Sequence, residues 1–248
     1  MASLSVIIIT KNEAHNIRAC LESVAWADEI IVVDSGSQDD TVAICREFTP
    51  HVYIHDWPGF GAQKNRALGY ASKDWILSLD ADERVTPELH DEIQFVMQSE
   101  QADGYEIPRL SSFCGRFMHH SGWCPDYVTR LFKRRAGHFS DDLVHERIIV
   151  NGTTGKLLQS ILHESFRDLE QLLDKINHYS TASARMLHQK NRTASLKKAV
   201  AHALWAFLRT YILRAGFLDG REGFMLAVST AEGTYYRYVK LMLLTDKK

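Results

Sequence analysis

Trp75-Ile-Leu-Ser-Leu-Asp80-Ala-Asp82-Glu83 is the stretch on which the reading of this chain turns. Its first five residues have strand length, and they are apolar enough on both faces to be a strand buried in a parallel sheet. The run then stops in three carboxylates within four positions. In open α/β sheets ligands bind beyond the carboxyl ends of the strands. Two carboxylates one residue apart at such a tip, Asp80 and Asp82, can share a divalent cation and the phosphates it bridges. Mg²⁺ and Mn²⁺ both accept oxygen ligands of this kind. The same residues also describe a solvated turn that ends a strand and caps a helix near Pro87.

Working outward, Ser5–Thr10 and Ile30–Val33 repeat the pattern of a short, wholly apolar, β-branched run, and 51–55 adds a brief strand. Helical patterns fall between them at Ala14–Val24, Thr41–Phe48 and Ala62–Ala71. Strands alternating with helices imply a parallel sheet covered by helices. Each strand end carries polar groups. Thr10-Lys-Asn12-Glu13 precedes a helix N-terminus and suits a nucleotide, or is a plain cap. Asp34 can accept from a ribose hydroxyl or a base N–H, or can form an Asx turn. Gly59-Phe-Gly61-Ala-Gln-Lys64 supplies glycines that let backbone approach a ligand and a lysine able to neutralise a phosphate, or it is a solvated helix face.

After Pro87 the rhythm changes. A helix at Leu89–Met97 is followed by shorter strands at Gly104–Arg109, Tyr127–Phe132 and Glu146–Val150, a mixed-sheet extension. From Leu169 onward three helices are predicted, Leu169–Gln189, Ser195–Leu213 and Gly223–Leu244, the last two rich in aromatic and basic residues.

The chain has 248 residues, 45% hydrophobic and 24% charged, the mix of a globular protein. Its net charge of −2 hides a split: residues 1–170 carry 16 basic and 26 acidic side chains, and 171–248 carry 13 and 5. The total argues against a nucleic-acid partner. The basic half implies an anionic one. Leu4–Thr10 lacks the basic flank and cleavage site of a signal peptide. The scattered Cys20, Cys45, Cys114 and Cys124 form no disulfide framework, which fits a reducing, cytoplasmic setting. Cys114, His119, His120 and Cys124 match no usual zinc spacing.

Four segments in order carry a resemblance: Val6-Ile-Ile-Ile-Thr-Lys-Asn-Glu13, Ile31-Val-Val-Asp-Ser-Gly-Ser37 with Asp39-Asp-Thr41, Gly61-Ala-Gln-Lys-Asn-Arg66, and Leu77-Ser-Leu-Asp-Ala-Asp-Glu83. They resemble the inverting nucleotide-sugar transferases of glycosyltransferase family 2. The resemblance implies the GT-A fold, an α/β nucleotide-sugar-binding mixed sheet flanked by helices, here with a C-terminal helical extension. The expected catalytic domain is 1–165, with a nucleotide half at 1–85 and an acceptor half at 86–165, and the extension is 166–248. A narrower resemblance rests on Gly122-Trp-Cys-Pro-Asp126, Arg130-Leu-Phe132, Val144-His-Glu146, His163 and Gly216-Phe-Leu-Asp-Gly220. These are similar to bacterial enzymes that glucosylate a heptose of the lipopolysaccharide inner core from UDP-glucose.

Carried onto this chain, the resemblance implies that Thr10, Asn12, Glu13 and Asp34 hold the nucleotide. Lys64 contacts the diphosphate. Asp80 binds ribose or metal, Asp82 binds a divalent cation, and His163 is a further ligand or a structural histidine. Glu146 is the general base that an inverting reaction needs, with Asp141 and Asp142 as rivals because the simpler family pattern at this place is Glu-Asp. Trp123, Tyr127 and Arg130 contact the acceptor, the aromatics by stacking or else by packing in a core. Partners implied are a UDP-sugar, a lipid-linked oligosaccharide and an anionic membrane surface at the cytoplasmic face of the inner membrane. A basic, aromatic-rich helical segment suits that surface, or packs on the catalytic domain or on a second subunit. Two other functions are disfavoured. A sugar-nucleotide pyrophosphorylase needs a Gly-rich basic loop after the first strand, and Thr10–Glu13 has none. A non-catalytic adaptor has no need of Asp80, Asp82 and Glu146.

Overall fold

The computed structural model describes residues 2–99, 101–140 and 146–246. Asp141 and Asp142 lie outside the described residues. The chain forms two compact units. One holds the residues up to Arg109 together with Asp126–His163; the other holds Leu110–Pro125 and the residues from Glu164 onward.

The first unit is built around β1 (Leu4–Thr10), whose seven residues are all buried. It lies between β2 (Glu29–Asp34) and β4 (Trp75–Asp80), parallel to both, and β3 (Val52–Ile54) extends the sheet beyond β2. Helices α1 (Ile17–Ser23), α2 (Thr41–Phe48) and α3 (Phe60–Tyr70) are the crossovers that parallel strands require. Alternate residues of β1 face opposite layers. Val6 and Ile8 pack with Ile17 and Leu21 of α1 and with Leu89 and Ile93 of α4 (Pro87–Ser99). Ile7 and Ile9 pack with Ala67 of α3, Phe132 and Phe139. Two covered faces are why these strands carry no polar alternation.

Beyond β4 the sheet becomes antiparallel through β8 (Asp126–Lys133) and β6 (Gly104–Phe113). Short strands β7 (Arg116–Phe117) and β11 (Thr154–Lys156) also pair with β6, and β9 (Gly137–Phe139) pairs with β10 (Ile148–Val150). The register sets Thr10 beside Asp34 and Ile9 beside Asp80. The ends of β1, β2 and β4 therefore meet at one sheet edge, as the sequence pattern predicts.

The carboxylate run turns at Ala81–Asp82 and then re-enters the sheet. Glu83–Val85 is a strand, β5, antiparallel to β12 (Ile161–Phe166), with His163 opposite Glu83. The backbone N–H of Asp80 donates to Glu83 Oε2 at 3.0 Å, which folds the chain back within three residues. Both strands escape a periodicity reading, β5 because it is three residues long and β12 because His163 and Glu164 interrupt its apolar pattern.

In the second unit, α5 (Leu169–Gln189) is N-capped by Asp168, which accepts from Gln171 N at 2.9 Å. Helix α6 (Leu196–Leu208) is N-capped by Ser195 and runs into a π turn, Arg209–Leu213. A 3-10 turn, Gly216–Asp219, leads into α7 (Gly220–Asp246). Phe113, Met118, Phe166, Leu172 and Leu226 form this unit's core, with Trp123 against them. Asp219 is buried and accepts from the backbone N–H groups of His119 and His120 and from the Ser121 hydroxyl. Lys240 ties α7 to α5. Its Nζ donates to Asn177 O, Ser180 Oγ and Thr181 Oγ1 at 2.8–3.0 Å.

Candidate active site

At the shared strand edge of the first unit, Lys64 of α3 is the first organising residue. Its side chain is 5% exposed, and Nζ lies 2.9 Å from Asp80 Oδ1 and 3.1 Å from Glu146 Oε1. Arg130 of β8 is the second. Its Nη2 lies 2.6 Å from Asp80 Oδ2 and 2.5 Å from the buried Glu83 Oε1. Arg109 reaches Glu83 at 3.8 Å and Asp126 at 2.6 Å. Charges of alternating sign thus run Glu146, Lys64, Asp80, Arg130, Glu83, Arg109, Asp126. Burial alone would raise the Asp80 carboxyl, but Arg130 and Lys64 outweigh it and hold the group well below the usual carboxylate range. Burial dominates at Glu83 and, with Asp80 adding to it, leaves that carboxyl above its usual value despite Arg130. The chain of charges borders a cleft of about 600 Å³ that Tyr127 and Glu106 also line.

Asp82 stands beside this chain. His163 Nε2 is 3.3 Å from Asp82 Oδ2, a contact produced by the pairing of β12 with β5. Most residues expected at the nucleotide are engaged with neighbouring polar groups of the segments after β1 and β2. Asp34 is buried and accepts from Gly36 N and Ser37 N at 2.9 and 2.8 Å, an Asx turn. Asn12 donates its N–H to Ser37 Oγ and accepts from Gln38 N. Glu13 donates its N–H to Thr41 Oγ1 and accepts from Asn16 Nδ2. Thr10 Oγ1 is buried at the same edge without a hydrogen-bond partner among the described residues.

The geometry adds to several expectations. Arg130 is buried between Asp80 and Glu83, whose carboxylates need its charge, and it also lines the cleft. Asp80 meets two cations, Lys64 and Arg130. Trp123 packs against Phe113 and Phe166, at 6.0 and 6.1 Å between ring centroids, in the second unit's core. The glycine of α3 serves backbone and not a ligand: a Cβ on Gly61 would overlap the Ser140 carbonyl oxygen. Gly61→Ala is expected to lower stability by about 1–3 kcal/mol, read from the urea midpoint.

Glu83 and Arg109 were not singled out from sequence. The signal available was Glu83 directly after Asp-x-Asp, a third carboxylate too many for a solvated turn of this length.

The family described as Glycosyl transferase family 2 matches residues 5–151. The chain belongs to that family. A Rickettsia felis glycosyltransferase is 32% identical over 97% of this chain and 90% of its own length. The lipopolysaccharide core biosynthesis glycosyltransferase LpsC of Rhizobium meliloti is 31% identical, covering 95% and 93%. Among solved structures, S. aureus TarS residues 1–349 with UDP-GlcNAc superposes on this transferase with a TM-score of 0.51 at 15% identity, over 99% of this chain and 92% of the other. The fold of this family 2 transferase is accordingly GT-A.

Among the described residues, no group of three or more His, Cys, Asp and Glu side chains is placed to enclose a metal. The donor set still fits a divalent cation held jointly with substrate. Asp82 and His163 offer one oxygen and one nitrogen, and Mg²⁺ commonly takes one or two protein carboxylates with phosphates and water for the rest.

Proposed function

We propose that this transferase moves glucose from UDP-glucose to an inner-core heptose of lipopolysaccharide, with inversion at C1 and with a divalent cation. The observation that carries the reading is the placement of Asp82 with His163 next to the Lys64-bridged pair Asp80 and Glu146, beyond the strand ends. The full-length likeness to LpsC supports the acceptor class.

When bound, the cation neutralises charge on the departing diphosphate. Asp82 and His163 would hold it. Thr10, Asn12, Glu13 and Asp34 sit where β1 and β2 end and frame the nucleotide, and Lys64 faces the diphosphate. Glu146 takes the proton of the acceptor hydroxyl as its oxygen bonds to C1 and the C1–O bond to UDP breaks on the opposite face. Tyr127 offers a ring face in the cleft for the acceptor sugar, and Lys156 Nζ already lies 4.5 Å from that ring's centroid.

The test is a panel of UDP-sugars assayed for UDP release with truncated core lipids and Mg²⁺ or Mn²⁺. Preference for another sugar would overturn the donor, and absence of UDP release would favour a binding role. Glu146→Gln is expected to lower kcat by about 10²–10⁴-fold with UDP-glucose affinity unchanged. A loss under fivefold would move the base to Asp141 or Asp142.

A further inference from the structure

Along α6 and its π turn, Leu196, Val200, Leu204, Leu208 and Ile212 recur every fourth residue, each 44–60% exposed. Residues at that spacing share one helix face. Trp205 and Leu213 widen the stripe, and Phe217 and Leu218 of the following 3-10 turn continue it, all more than half exposed. Contiguous exposed apolar surface of this kind marks a site of contact. Between residues 190 and 221 the chain carries seven Lys and Arg, all exposed. The one acid in the stretch, Asp219, is buried, and Arg221 at its end also pairs with Glu222 at 2.5 Å.

The charge decides what covers the stripe. A two-fold dimer would set this patch against its own copy and so bring both sets of cations together. An acidic surface meets the apolar stripe and its cationic border at once. No described helix is long and apolar enough to cross a membrane, so the helix would lie along the surface.

We propose that the face formed by α6, its π turn and the 3-10 turn docks in the interface of an anionic lipid bilayer, with Leu204, Leu208, Ile212 and Leu213 inserted and Lys197, Arg209 and Arg221 against the headgroups. The inference deepens the proposed function by naming the surface that meets the acceptor's membrane. It is tested without donor or acceptor.

Full-length protein is sedimented with vesicles of phosphatidylethanolamine and phosphatidylglycerol, and with neutral phosphatidylcholine vesicles, at low and high salt. Binding is expected to the anionic vesicles, to fall with salt, and to be weak on neutral ones. Leu208→Glu with Leu213→Glu is expected to reduce partitioning at least tenfold, and Arg209→Gln with Arg221→Gln about tenfold. Trp205 emission is expected to shift to the blue on anionic vesicles, and Trp205→Phe to remove that shift. The substituted residues are exposed, and unchanged circular dichroism would confirm retained folding. No binding at low salt, or equal binding by the variants, would overturn the proposal. So would a vesicle-free dimer that the double leucine variant dissociates. UDP release in detergent separates this failure from a failure of the proposed function.

Discussion

Asp82→Ala is expected to reduce sugar transfer by about 10³-fold or more while the protein still folds. In the proposed transfer, breaking the C1–O bond adds one negative charge to the departing diphosphate, and the loss of one well-placed electrostatic partner for developing charge costs about 10²–10³ in kcat. In the proposed reading Asp82 supports that partner. Its carboxylate is 28% exposed and lies 3.3 Å from His163, outside the ion-pair chain. Removing it therefore strands no buried charge, and the thermal midpoint should hold. The check is a pair of measurements, kcat at saturating Mg²⁺ and the unfolding midpoint. Full activity in the variant would remove the cation from the mechanism.

Arg130→Met should do the reverse, lowering stability by about 3–5 kcal/mol. Arg130 is 7% exposed and bonds Asp80 and Glu83 with one nitrogen. Methionine fills part of the volume but leaves two carboxylates facing each other, with only Lys64 nearby for Asp80. The native Asp80 carboxyl lies below its unfolded value, so its contribution is complete above the ordinary carboxylate range. It is lost as pH falls through the depressed native value. The gap between wild type and variant should therefore narrow in acid, where protonation neutralises both carboxylates. Urea midpoints across pH measure this, and a gap below 1 kcal/mol at neutral pH would contradict it.

The parallel half of the fold was legible because Val6–Ile9, Ile30–Val33 and Trp75–Leu79 are buried on both sides and are apolar except at Ser78. The edge shared by Thr10, Asp34 and Asp80 followed from strand direction alone. The pairing of β5 with β12 was not legible. It joins residues about 80 positions apart through three rungs, and no local pattern encodes a contact of that separation. His163 was named through resemblance, but its neighbour Asp82 emerges only from that pairing. The carboxylate partners of Arg130 were not legible for a related reason. They reach it from β4 and β5, and only the convergence of Asp80 and Glu83 makes a buried guanidinium stable. The helices of the second unit were legible from their periodicity, whereas the inward use of Lys240 depends on four acceptor atoms on three residues of α5.

The alternating order of charges from Glu146 to Asp126 has a consequence at long range. Neighbouring opposite charges form a string of short dipoles, whose field dies away far faster than that of a like-signed cluster and is screened further within about 10 Å at ordinary salt. This chain of charges therefore adds little to the long-range field of residues 1–170, whose excess of ten acidic side chains sets the potential that an anion meets on approach. The chain's own discrimination among anions begins only once one is inside the cleft.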